Sequence, residues 1–318
     1  MVARTLVMAL FVGIAGCSAV LNRVPPVAVP DARLAGASAS RAPVIRVVTF
    51  NLFHGGPLSG LWGDDRQLER RLELAIAELR ELAPDVIALQ EASVGAGRGN
   101  IAARIAKALG HEHVLATATP RVFREPVLGR LLTLLMNFTE GSAVVSRFPI
   151  VRGDRHDLPR CVRTLDPRIA LHAELRTPWG PLHVLSTHTS RDACQVARAG
   201  ELAAAARGPL PTLLSGDLNH AEDSPPIAAL RDAGLVDVFR AANPDASGFT
   251  VWQRVESPGP TVFRRVDYIL LAPGTKSAGR VVSSRIVLDT PDRRPDGSTL
   301  WPSDHYGVLA EIDLSPSR

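Results

Sequence analysis

Six short apolar runs in this chain each carry an acid, amide or imidazole group at one end, and this narrows the fold more than any other feature. Asn51 ends the run 44–50, Glu91 follows 85–90 and His188 follows 182–187. Gly216-Asp217-Leu218-Asn219 follows 212–215, Asp267 lies at the start of 266–271, and His305 precedes 306–314. Runs of this length, rich in valine and leucine, read as buried strands. Polar residues at strand ends over a packed scaffold are how an open α/β protein builds a site. Four of the groups follow their strands and two begin theirs. In a mixed sheet these ends share an edge, so all six can line one rim.

Helical patterns alternate with the strands. Leu68, Leu72, Ala75, Leu79 and Leu82 form one stripe, with Asp64 and Gln67 as a capping pair. A second helix fits 100–110, Asp192 is placed to cap a third ending by Gly208, and Ser224-Pro225 opens a fourth. A long loop over 243–260 holds Trp252. With 318 residues, of which 46% are hydrophobic, a large core is available. The formal charge is +4, and only Lys107 and Lys276 are lysines, so the cations are nearly all arginine. Arginine suits bidentate phosphate contact and permits nucleic acid or anionic lipid as a partner.

Arg4, the apolar run 6–15 and Gly16-Cys17 open the chain. That run is short for a bilayer and suits a signal h-region. Ile14-Ala15-Gly16-Cys17 resembles a bacterial lipobox, which implies removal of residues 1–16 and lipidation of Cys17. Ser18 then favours the outer membrane if the cell is Gram-negative. The expected product is an exported cell-envelope lipoprotein. Its Pro/Ala/Ser-rich residues 17–42 form a flexible tether and residues 43–316 the folded domain. Cys161 and Cys194 would meet an oxidising compartment. A hairpin pairing Leu175 with Leu182, extended outward, brings them within about two positions of register and makes a disulfide a candidate.

The ordered set Phe50-Asn51, Leu89-Gln90-Glu91, Gly141 through Pro149, Thr187-His188, Gly216-Asp217-Leu218-Asn219, Val266-Asp267-Tyr268-Ile269 and Ser303-Asp304-His305 resembles the endonuclease/exonuclease/phosphatase superfamily. The resemblance covers nearly the whole chain after the tether. It implies a four-layer α/β sandwich, with two mixed β-sheets face to face and helices outside. It also implies a hydrolase of phosphoesters dependent on Mg²⁺, with Mn²⁺ as a substitute. Glu91 becomes the principal metal ligand, with Asn51 beside it and Asp304 adding a contact. Asp267 orients His305, which acts as base or as electrostatic stabiliser. His188 matches the family's second histidine, where the abasic-site branch carries tyrosine.

The residue chemistry agrees. Phosphoester hydrolysis needs charge stabilisation and an activated water, and Glu91 is a hard oxygen ligand suited to Mg²⁺. Asp217 and Asn219, two apart on an extended segment, face the same way. One can orient or deprotonate water while the other donates to a phosphate oxygen. His54 and His220 stand close enough in sequence to reach substrate, whereas His111 and His113 read as surface residues, and His156, His172 and His183 as structural or solvent-facing. The segment 120–139 combines Arg121, Arg124 and Arg130 with leucines and reads either as a core helix or as an amphipathic flap on lipid. Trp62, Trp252 and Trp301 read as interfacial anchors or stacking platforms. The expected substrate is a lipid or inositol-type head group. The alternatives are an extracellular nuclease on DNA or RNA, and a non-catalytic binding lipoprotein. No protein partner is evident.

Overall fold

The computed structural model describes residues 23–26, 43–54, 66–95, 98–118, 139–162 and 167–317. Residues 1–16, Cys17, Trp62, Asp64 of the expected capping pair and residues 120–138 lie outside that set.

Strand β1 (Val44–Asn51) sends Ile45 and Val47 to one apolar cluster and Val48 and Phe50 to another. A strand apolar on both faces must be covered on both. Helix α1 (Leu68–Leu82) supplies one cover, burying the whole predicted stripe. β2 (Val86–Gly95), β3 (Gly99–Asn100), α2 (Ile101–Leu109), β4 (Glu112–Thr117), β5 (Thr139–Ser146) and β6 (Ile150–Asp157) follow. Then come β7 (Ile169–Thr177), β8 (Gly180–His188), α3 (Ala193–Ala205), β9 (Thr212–Asp217), α4 (Pro225–Asp232), β10 (Val236–Asp237) and α5 (Val238–Ala242). The chain closes with β11 (Asp267–Ala272), β12 (Arg280–Val287), β13 (Asp292–Arg293), β14 (Thr299–Leu300) and β15 (Gly307–Asp313).

One sheet runs β12-β15-β1-β2-β5-β4 with β3 on β2, and the other runs β10-β11-β9-β8-β7-β6. β1 pairs with β2, and β8 with β9, in parallel; the remaining pairs are antiparallel. Ile45, Val47 and Val308 meet Leu171, Val184 and Leu213 in the core between the sheets. α1 and α2 cover the first sheet, and α3 and α4 the second. This is the expected four-layer sandwich.

Several local readings need correction. Gln67 stands at the N-cap of α1 but makes no side-chain cap bond, because it accepts from Arg294 at 2.6 Å. Asp192 stands at the N-cap of α3, yet its carboxylate accepts from the backbone N–H groups of Cys161 and Val162, each at 2.9 Å. Trp301 is buried, stacks on Tyr306 and donates to the Ser257 carbonyl, so it is no surface anchor. His113 is buried in β4 rather than exposed. Four residues of the expected tether, 23–26, lie against the β6 edge, where the Val24 N–H donates to the Gly153 carbonyl at 2.7 Å. Among the described residues no helix is long and apolar enough to cross a membrane.

Candidate active site

Register places three of the expected residues side by side. His188 ends β8 opposite Asp217 at the end of β9, and Asp217 stands opposite Asp267 at the start of β11. The parallel–antiparallel junction therefore builds the predicted rim. Gly216 permits it: a Cβ there would fall 1.9 Å from the Thr187 carbonyl oxygen. From the facing sheet, a bulge in β2 between Leu89 and Ala92 turns Glu91 toward the same point, with φ 53°. Asn219 also has a left-handed backbone, at φ 52°. Such conformations cost a non-glycine residue about 1 kcal/mol, and such strain is concentrated at functional sites.

Asp217 Oδ2 is the centre of the arrangement. Asn51 Nδ2 lies 3.2 Å away, His188 Nε2 3.3 Å, Asn219 Nδ2 3.3 Å and His305 Nε2 3.7 Å. The backbone N–H of Asn219 donates to Asp217 Oδ1 at 2.8 Å. Burial pushes the Asp217 carboxyl above its ordinary range; the His305 charge opposes this and Asp267 adds to it. A carboxylate raised in this way is a better proton acceptor near neutrality.

His305 Nδ1 donates to Asp267 Oδ2 at 2.9 Å, which leaves Nε2 facing Asp217. Burial alone would lower the imidazole, but Asp267 and Asp217 outweigh it and hold the pKa well above the ordinary value. The two carboxylates therefore favour the protonated form of His305. His188 is the opposite case: burial and the Arg168 guanidinium hold it well below the ordinary value. Arg168 donates to His188 Nδ1 at 2.7 Å, so the neutral ring carries its proton on Nε2, toward Asp217; Asn219 Nδ2, 3.0 Å from that nitrogen, then gives its two hydrogens to the Thr189 carbonyl and Asp217.

Glu91, Asn51 and Asp304 offer oxygen ligands on this side of the rim and would hold a divalent cation there. Burial, with the Glu91 charge adding to it, pushes the Asp304 carboxyl up to about 6, a penalty that a nearby cation would relieve. Asn51 Nδ2 donates to Glu91 Oε1 at 3.2 Å, so its amide must turn to offer oxygen. A cation held there would polarise a phosphoryl oxygen. Asp217, Asp267 and His305 also present ligand atoms within 4.8 Å of one another, but the Asp267–His305 bond already commits two of them.

Three supporting residues escaped the sequence reading. Arg71 is buried in α1 and donates to the carbonyls of Leu52, Phe53 and Pro302, tying the loop after Asn51 to the loop before Asp304. Arg168 sets the His188 tautomer, as above. Glu140 meets His54 Nε2, and His54 also lies 3.2 Å from Glu91 Oε2. An arginine among leucines in a helical stripe was the one available signal. His220 turns away, with Nδ1 on the Leu218 carbonyl at 2.7 Å. Cys161 and Cys194 are joined by a disulfide, with Cα atoms 6.3 Å apart.

A cleft of about 750 Å³ opens beside Asp304, lined in part by Phe53, Arg66, Trp252 and Arg254. Trp252 makes an edge-on pair with Phe263; the two are 48% and 52% exposed, and Arg191 lies over the indole.

Two facing mixed sheets with carboxylates, amides and histidines converging at their strand ends define a metal-dependent phosphoester hydrolase. The chain belongs to the endonuclease/exonuclease/phosphatase family, whose model matches residues 48–305. It is similar to a solved endonuclease/exonuclease/phosphatase from Beutenbergia cavernae, at 24% identity and TM-score 0.61, over 86% of this chain and 72% of that one. A family protein from Bacteroides thetaiotaomicron aligns at 17% identity and TM-score 0.64, over 86% and 98%. Truncated TDP2 from Caenorhabditis elegans aligns at 18% and 0.58, over 85% and 97%. No curated protein sequence matches the chain.

Proposed function

We propose that this phosphoesterase uses Mg²⁺ to hydrolyse a lipid phosphoester or an inositol-type head group at the cell envelope, anchored there through lipidated Cys17. The observation that carries the chemistry is the crowding of Asn51, His188, Asn219 and His305 around Asp217 Oδ2. Glu91, Asn51 and Asp304 hold the ion. Asp217 takes the proton of the attacking water, Asn219 and neutral His188 donate to phosphate oxygens, and the His305 imidazolium offsets the charge that builds on phosphorus-bound oxygen.

The substrate class is supported by the signal-like N-terminus and by the exposed Trp252 and Phe263 beside the cleft, with arginines around them. Aromatic side chains next to cations suit a lipid–water interface. The same Trp252, under Arg191, suits stacking of a nucleobase, which supports a nuclease as the second reading. Phosphorus NMR of the full chain with Mg²⁺ separates them. The mixture holds sphingomyelin and phosphatidylinositol micelles, soluble inositol phosphates and short duplex DNA, with Asp217→Ala as control. New phosphorus signals from a lipid or inositol species alone support the head-group reading, and cleavage of DNA alone replaces it with the nuclease.

A further inference from the structure

The two carboxylate oxygens of Glu91 face different neighbours. Oε1 lies 3.2 Å from Asn51 Nδ2 and 4.0 Å from His188 Nδ1, on the side of the catalytic cluster. Oε2 turns the other way. It accepts from the His54 backbone N–H at 3.2 Å and lies 3.2 Å from His54 Nε2. Beyond that imidazole stands Glu140, whose Oε2 is shut off from solvent and in close charge contact with the same His54 Nε2. One nitrogen and two carboxylate oxygens thus lie within 4.8 Å of one another.

We propose that His54 Nε2, Glu91 Oε2 and Glu140 Oε2 form a second divalent-cation site, selective for Mn²⁺ or Zn²⁺ over Mg²⁺, with Glu91 as the ligand shared with the catalytic ion. The proposal rests on the reading of Glu91 as the catalytic ligand. An imidazole with two carboxylates is a mixed nitrogen–oxygen set, which favours transition ions, whereas Mg²⁺ prefers oxygen and water. Ligand bonds of about 2.0–2.2 Å place neighbouring ligand atoms roughly 2.8–3.6 Å apart, from octahedral to tetrahedral angles. The His54–Glu91 separation already meets that spacing, and the His54–Glu140 contact must open by roughly 0.3–1.1 Å.

The ligands come from places able to hold such geometry. Glu91 sits on the β2 bulge, Glu140 on β5 is paired with Ser93 of β2, and His54 follows the end of β1. Sites on paired strands are more precise than sites on loops. The main electrostatic opposition comes from Arg168 beside Glu140 and Arg98 near His54. A single proton on His54, bridging the two carboxylates, is the competing arrangement.

Equilibrium dialysis of the full chain against Mn²⁺, with electron paramagnetic resonance of the bound ions, distinguishes the two arrangements. The expected result is two Mn²⁺ per chain with spin–spin broadening. His54→Ala and Glu140→Gln should each weaken the second Mn²⁺ by at least about 10–100-fold while keeping the first. Glu91→Gln should weaken both. Circular dichroism checks the fold, and Glu140→Gln, which keeps the side-chain shape, serves if His54→Ala does not fold. One Mn²⁺ per wild-type chain, or two in His54→Ala, overturns the second site. A chain that hydrolyses phosphoesters with one ion keeps the proposed function and loses this site; one that binds two ions and cleaves nothing does the reverse.

Discussion

His305 is buried and His172 half-buried, and in both the loss of water pushes the imidazole toward its neutral form. They nevertheless shift in opposite directions. At the rim, Asp267 and Asp217 overcome burial and favour the charged form of His305. In the second sheet, His172 Nε2 meets another histidine, His183 Nδ1, at 3.0 Å, and its pKa falls to about 4, with Asp154 too weak to prevent it. Burial sets the size of the penalty, and the partner decides whether it is overcome. Register alone does not choose that partner, since Asp154 of β6 stands opposite His172 much as Asp217 stands opposite Asp267; the direct bond does, from His305 to Asp267 at 2.9 Å and between His172 and His183 at 3.0 Å.

The largest test of the contrast is activity. Asp217→Ala, Glu91→Ala and His305→Ala should each lower turnover by about 10²–10⁴-fold with circular dichroism unchanged. His172→Gln, in the other cluster, should leave turnover within about twofold, since surface and scaffold groups contribute little to the barrier. Release of phosphorus-containing product at saturating substrate measures both, and near-normal turnover in His305→Ala would remove this histidine from the chemistry.

Arg168 tests whether the neutral His188 is set by its neighbour. In Arg168→Met the ring loses a charged donor at Nδ1, and its pKa should rise toward the ordinary value. A charge-assisted hydrogen bond of about 1.5–3 kcal/mol corresponds to roughly a 10–100-fold loss of kcat/KM. Arg168→Lys, which keeps the charge, should recover part of it; equal losses in the two variants would mean that charge is not what matters.

Asp267→Asn converts the rim histidine toward the other type. The raised pKa of His305 depends on that carboxylate, so its loss lets the imidazolium release its proton at lower pH. The alkaline limb of the kcat/KM profile should therefore move to lower pH by about one unit or more. An unmoved limb would assign it to another group.

Much of this contrast was legible in the sequence on one side only. Glu91, His188, Asp217, Asn219, Asp267 and His305 lie on short apolar runs whose period fixes strand ends, and strand ends fix the rim. Arg168, Arg71 and Glu140 act through partners far away in sequence, and no local pattern marks an arginine that will meet a histidine across a hairpin. Strands β4, β6 and β12 were unread for a related reason: Ile150–Asp157 and Arg280–Val287 carry polar residues on both faces. Edge strands can do so because neighbours do not cover them fully. The capping roles given to Gln67 and Asp192 failed because each side chain found a tertiary partner instead.

The smallest effect concerns stability in acid. The pKa of His172 is about 4 when folded, against 6.5 for the free side chain, so the group makes no difference to stability above about pH 6.5. As pH falls from there toward 4, the unfolded chain takes up a proton that the folded one refuses, and stability is lost. Below about 4 both states are protonated and the loss stays constant. For a shift of this size the full penalty is on the order of 3 kcal/mol. Urea unfolding at about pH 7 and about pH 5 should show a smaller drop for His172→Gln than for the wild type, because the variant has no proton to refuse there. The carboxylates that titrate in the same range are common to both chains and cancel in the comparison. Equal drops would mean that the His172–His183 pair opens in acid and lets the proton in without unfolding.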